Sequence, residues 1–127
     1  MIDGNSAARA GGGIESTEVS GGGDATLSGV ALTNNDTGPV PGNGGGMHVT
    51  GSSITTLIDD SVVTGNSATN EGGGLWNFNG ATMTVTATVI VDNVSPTGPN
   101  VFQNGAGGDF TVDGQLVPAG PNMLAFG

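Results

Sequence analysis

Few side chains in this 127-residue chain are equipped for chemistry, and their spacing limits what they can do. Asp59 and Asp60 are the only adjacent carboxylates, a pair that general acid–base catalysis would need. His48, in a Gly-Gly-Met-His-Val stretch, and Arg9, the one cation, are the remaining candidates. No histidine or basic motif accompanies the aspartates, so they read as a solvated turn, His48 as a strand-face residue, and no enzyme is expected. GGGDATL at 21–27 and GAGGDFTV at 105–112 set Asp24 and Asp109 beside glycines, as calcium-binding nonapeptides do. Each occurs once and not in tandem, so both aspartates are assigned to turns, and no metal or other cofactor is expected.

Three further patterns concern binding. Thr82, Thr84, Thr86 and Thr88 alternate along one stretch, the pattern of a hydroxyl face that orders water, but ATLSGVA and TLIDDSV interrupt it elsewhere. Trp76 and Phe78 follow Gly-Gly-Gly-Leu with period two. Leu75 aligns with Ile14 and Met47, which turns Leu75 inward and Trp76 outward, so Trp76 is the candidate for a ligand or intersubunit contact. Asn35-Asp36-Thr37 and Asn93-Val94-Ser95 match the glycan-acceptor pattern, which makes Asn35 and Asn93 candidate glycosylation sites, although Pro96 follows the second.

The elements that must position these residues are short. Glycine contributes 26 residues, hydrophobic residues 35% and charged residues only 9%, with a net charge of −10. One arginine and no lysine exclude a nucleic-acid face, because each neutralised phosphate needs a cation. Glycine interrupts every window at helical spacing, which excludes a helical bundle. There is no cysteine, hence no disulfide framework, and no apolar run approaches the ~20 residues of a membrane span. Runs such as VTATVIV at 85–91, set between glycine and asparagine turns, argue against disorder.

Self-similarity organises the chain. Gly-Gly-Gly-apolar tetrads stand at 11–14, 44–47 and 72–75, and apolar-turn-asparagine units end at Asn5, Asn35, Asn66 and Asn93. Between them, Leu27, Ile58, Val85 and Val112 each precede by five residues a second apolar position: Leu32, Val63, Ile90 and Val117. GPNVF at 98–102 returns as GPNML at 120–124. Strands this short cannot bury a face alone. Stacked as coils they pair with parallel neighbours ~4.8 Å away and align both apolar sets into inward ladders. Asn5, Asn35, Asn66 and Asn93 then form a turn ladder of side-chain amides. The expected fold is all-β, a single right-handed parallel β-helix of about four coils with three strands each. Its units fall near 6–35, 36–66, 67–93 and 94–120, with partial coils at both ends.

The GNSA and GGGI/L stretches, the VVTGN turn and the period resemble the right-handed parallel β-helix repeats of bacterial surface and secreted proteins. Polymorphic outer-membrane-protein and autotransporter-adhesin repeats are the types resembled. The resemblance implies architecture and an extracellular or cell-surface location, and little about activity, because such folds host lyases, adhesins and fibres alike. The sequence starts and stops inside a repeat without a polar cap, leaving Met1, Ile2, Met123, Leu124 and Phe126 at open strand edges. The expectation is a structural protein that stacks head to tail on itself into a fibre. The alternative is a segment of a larger adhesin, with bound or attached glycans; ice binding and polysaccharide binding or degradation rank lower. Neither nucleic acid nor membrane insertion is expected.

Overall fold

The computed structural model describes residues 1–18 and 23–120 and shows an all-β solenoid of about four turns. Two short strands, β1 (Ile2–Asp3) and β2 (Ser6–Ala7), lead into the first coil. That coil holds β3 (Ile14–Thr17), β4 (Gly23–Ser28) and β5 (Ala31–Thr33), followed by the short β6 (Asp36–Thr37). The second holds β7 (Met47–Thr50), β8 (Ile54–Asp59) and β9 (Val62–Thr64), and the third β10 (Leu75–Asn77), β11 (Thr82–Thr86) and β12 (Val89–Val91). β13 (Val101–Gln103), β14 (Asp109–Val112) and β15 (Gln115–Leu116) complete the described chain. Equivalent strands stack in parallel into three sheets, ordered β3-β7-β10-β13, β4-β8-β11-β14 and β1-β5-β9-β12. Stacking answers the shortness of the strands: backbone groups between coils pair with the coil above or below, as isolated three-residue strands cannot.

Period-two alternation sends every second residue inward. Ile14, Met47, Leu75 and Val101 align along one sheet. Leu27, Ile58, Val85 and Val112 align along the next, and Ile2, Leu32, Val63 and Ile90 along the third. These files meet in one hydrophobic core. Each fully buried aliphatic side chain contributes roughly 1.5–3 kcal/mol, so continuous files fix the register of the stack.

The chain turns corners on single left-handed residues. One corner is Gly29, Asp60 and Ala87, at φ 64, 48 and 47°. Another is Gly4, Asn34, Gly65 and Asp92, each directly before a ladder asparagine, at φ 68, 54, 69 and 57°. That conformation costs an ordinary L residue about 1–2 kcal/mol, which is why Gly, Asn and Asp dominate here. In the triple-glycine corner the demand is also steric: a Cβ on Gly45 would run into the carbonyl oxygens of Gly73 and Ser67.

The last turn departs from the expected repeat. Val117 does not extend the file of Leu32, Val63 and Ile90. Asp113 and Gly114 both take positive φ (48 and 79°), and two such residues in succession reverse the chain as a type I′ hairpin. β15 therefore pairs antiparallel with β14, and Val117 N–H donates to Phe110 O at 2.8 Å. Val117 is still buried, 1% exposed, but in the core beneath the hairpin. The earlier coils carry the same five-residue offset around one left-handed residue, and that single difference in φ separates the two outcomes.

Candidate functional site

The most ordered polar feature is the file of asparagines. Asn5 donates from both its main-chain N–H and Nδ2 to Asn35 Oδ1, at 3.0 Å each. Asn35 clamps Asn66 Oδ1 in the same way at 3.0 and 2.9 Å, and Asn66 clamps Asn93 Oδ1 at 3.0 and 2.9 Å. Each Nδ2 also reaches a carbonyl one coil back: Asn35 to Ile2 O, Asn66 to Leu32 O and Asn93 to Val63 O, at 3.0, 2.8 and 3.0 Å. All clamps point the same way along the axis, so the file is a polar rail with a direction.

Asn100 follows Asn93 in the rail. Its Oδ1 accepts from Asn93 N–H and Nδ2 at 3.3 and 3.1 Å, although it lies only seven residues on. Gly98-Pro99-Asn100 takes the place of a glycine triplet, and Asn100 turns its side chain inward where earlier coils have no side chain. Aligning GPN with GGG would have revealed this residue, which the repeat reading left unassigned. A second rail was also missed: Val30 N–H donates to Ser61 Oγ at 3.0 Å and Ser61 N–H to Thr88 Oγ1 at 3.2 Å.

The structure bears on three expectations. Asn35 is fully buried and Asn93 5% exposed, with both amides committed to the ladder, so neither Nδ2 is open to a glycan-transfer enzyme in the folded chain. Thr88 does not share a face with Thr82, Thr84 and Thr86, because the Ala87 corner intervenes and turns its hydroxyl into the second rail. Trp76 does lie on the strand face opposite Leu75, but it is only 5% exposed and presents no free ring. Its ring stacks on His48, with centroids 4.4 Å apart, and its Nε1–H donates to Glu71 Oε2 at 2.9 Å.

That outer file runs Glu15, His48, Trp76, Phe102 across four strands. Arg9 pairs with Glu15, and Glu15 Oε1 stands 3.7 Å from His48 Nδ1. Burial, with Arg9 adding its charge, lowers the His48 pKa to about 4, so the imidazole is neutral at neutral pH. Phe78 is half-buried against the core, its ring 6.3 Å from Trp76.

The carboxylates do not converge. Asp59 accepts from Thr86 Oγ1 at 2.6 Å, while Asp60 sits exposed on the corner with φ 48°. Asp24 and Asp109 occupy one outward row with Thr55 and Thr82 between them. They are thus about 14 Å apart at ~4.8 Å per strand, too far to share an ion. Among the described residues no three His, Asp or Glu side chains gather as metal ligands.

The two ends differ. Met1 is 90% exposed, and Ile2 is half-buried, paired with Leu32 and packed against the core. Beyond β1, β3 and β4 no further strand follows among the described residues. At the opposite end β15 occupies the β14 edge and Gly120 N–H donates to Gln103 O of β13 at 2.9 Å, while among the described residues no strand follows β12. Met123, Leu124 and Phe126 lie outside the described residues. Comparison of the chain with protein-family models, curated proteins and solved structures returned no match.

Proposed function

We propose that this protein is a non-enzymatic structural solenoid, working outside the cell or at its surface, that continues end to end into further coils through its first-coil face. The observation that carries the reading is the polar rail. Every ladder asparagine from Asn35 to Asn93 is engaged on both sides, whereas Asn5 is engaged only toward Asn35. A net charge of −10 keeps such rods apart laterally and makes their bundling dependent on salt.

Further coils can come from copies of this chain stacked head to tail in a fibre, or from a longer surface solenoid of adhesin type. The β14 edge taken by β15 and the Gly120 hydrogen bond on β13 favour the second, since they leave less edge for the next copy's β3 and β4. Electron microscopy of the purified chain at physiological salt separates the two. Filaments with an axial repeat near ~20 Å, four coils at ~4.8 Å, support the fibre; isolated particles support the longer solenoid. Turnover of a polysaccharide that disappears in Asp59→Asn would overturn the structural role itself.

A further inference from the structure

We infer that the first-coil face is a register-specific seat for one more parallel coil of the same repeat, recognised by an asparagine that clamps Asn5 Oδ1. The inference rests on the end-to-end reading and adds the chemistry of recognition.

Three observations converge on this face. Among the described residues no donor reaches Asn5 Oδ1, and Asn5 Nδ2 has no carbonyl one coil back; it donates only to Asn35 Oδ1 and, at 3.4 Å, to Asp3 O. In the next three coils both of these places are filled, always by N–H and Nδ2 of the preceding asparagine and by a carbonyl three residues before it. The strand edges are equally poised. Ile14 N–H and Glu18 N–H donate to Gly46 O and Thr50 O of the second coil, and Gly4 N–H donates to Thr33 O. Alternation then points the N–H groups of Asp3, Glu15 and Thr17 away from the stack, toward the open side. Finally, Ile2, Ile14, Ala25 and Val30 are only partly buried where their files reach this face, so an added coil would cover apolar surface as well.

The direction of the clamp decides what fits. A second copy related by a two-fold axis would present antiparallel strands and another Oδ1, which cannot donate. A parallel coil ending in a ladder asparagine supplies N–H, Nδ2 and the carbonyl together.

The test fuses a copy of residues 30–61 ahead of Met1 in the full chain. Met1 then takes the place that Val62 holds after the original segment, and the copied asparagine stands at the spacing of Asn35 from Asn66. A second fusion carries leucine in place of that copied asparagine; the original coils are untouched in both. The expected result is a higher unfolding midpoint and slower amide exchange at Asp3, Glu15 and Thr17 in the first fusion. About tenfold of that protection, the worth of about one net hydrogen bond, should be lost in the second, which keeps the main-chain N–H of the clamp and lacks its Nδ2. An equal gain in both fusions would overturn the asparagine clamp and leave the end-to-end reading standing. No gain in either would overturn both.

Discussion

Thr56 and His48 show at the scale of single residues how a buried polar group can weaken this fold. Thr56 points inward between Ala25 and Met83, is fully buried, and its hydroxyl has no hydrogen-bond partner. Thr56→Val removes the orphan at nearly constant volume and should stabilise the chain by about 1–2 kcal/mol in urea denaturation. His48 acts through pH. Its pKa is lowered to about 4 from an ordinary 6.5, so between those values the unfolded chain takes up the proton more readily. Stability is therefore full above pH ~6.5 and falls as the pH drops toward about 4, by on the order of 3 kcal/mol. His48→Phe, which keeps a ring against Trp76, should flatten denaturation midpoints across that window. An unchanged slope would show that other groups set the pH dependence.

At the scale of elements the hairpin β14–β15 is the informative piece. It depends on Asp113 and Gly114 both holding positive φ, which a β-branched side chain resists. Gly114→Val should release β15 and speed hydrogen exchange at Val117 N–H by at least about tenfold, a cost of ~1–2 kcal/mol, while exchange in β8 and β9 stays slow. The Asp-Gly signal lay in plain view between two apolar runs. The five-residue offset of Val117 from Val112 nonetheless matches the earlier coils and points to one more corner. Offset alone does not distinguish one left-handed residue, which turns a corner, from two, which reverse the strand.

For the whole molecule, the rail makes stability depend on position along the axis. Asn66→Leu would strip both donors of Asn35 of their acceptor, and would take the Nδ2 donor from Asn93 Oδ1 and from Leu32 O while the main-chain N–H at 66 remains. The expected loss is about 3–5 kcal/mol. Asn5→Ala touches the same rail at its exposed end and should cost under about 1 kcal/mol, because water replaces what is lost. Chemical denaturation of the two variants measures the difference; equal losses would mean that the rail contributes no position-dependent stability.

Repetition made much of this legible in advance. Asn5, Asn35, Asn66 and Asn93 align in the sequence because each coil must bring the same amide to the same corner, and Leu27, Ile58, Val85 and Val112 align because one core face runs through all coils. A periodic sequence thus determines a periodic structure, down to the register of its parallel strands. Exposure and termination are another matter. That Trp76 is covered while facing away from the core depends on the identity of its register partner, His48, and on Glu71 from the turn before it. That Asn35 and Asn93 are closed to glycans depends on carbonyls from the coil before. That the β14 edge is covered depends on Asp113 and Gly114, which occur where the repeat breaks. The sequence by itself determined the stack and its inward files, because these follow from period. Only the tertiary structure decided which outward groups are reachable and that β15 folds back on β14, because both depend on the particular side chains and φ values at single positions rather than on the period.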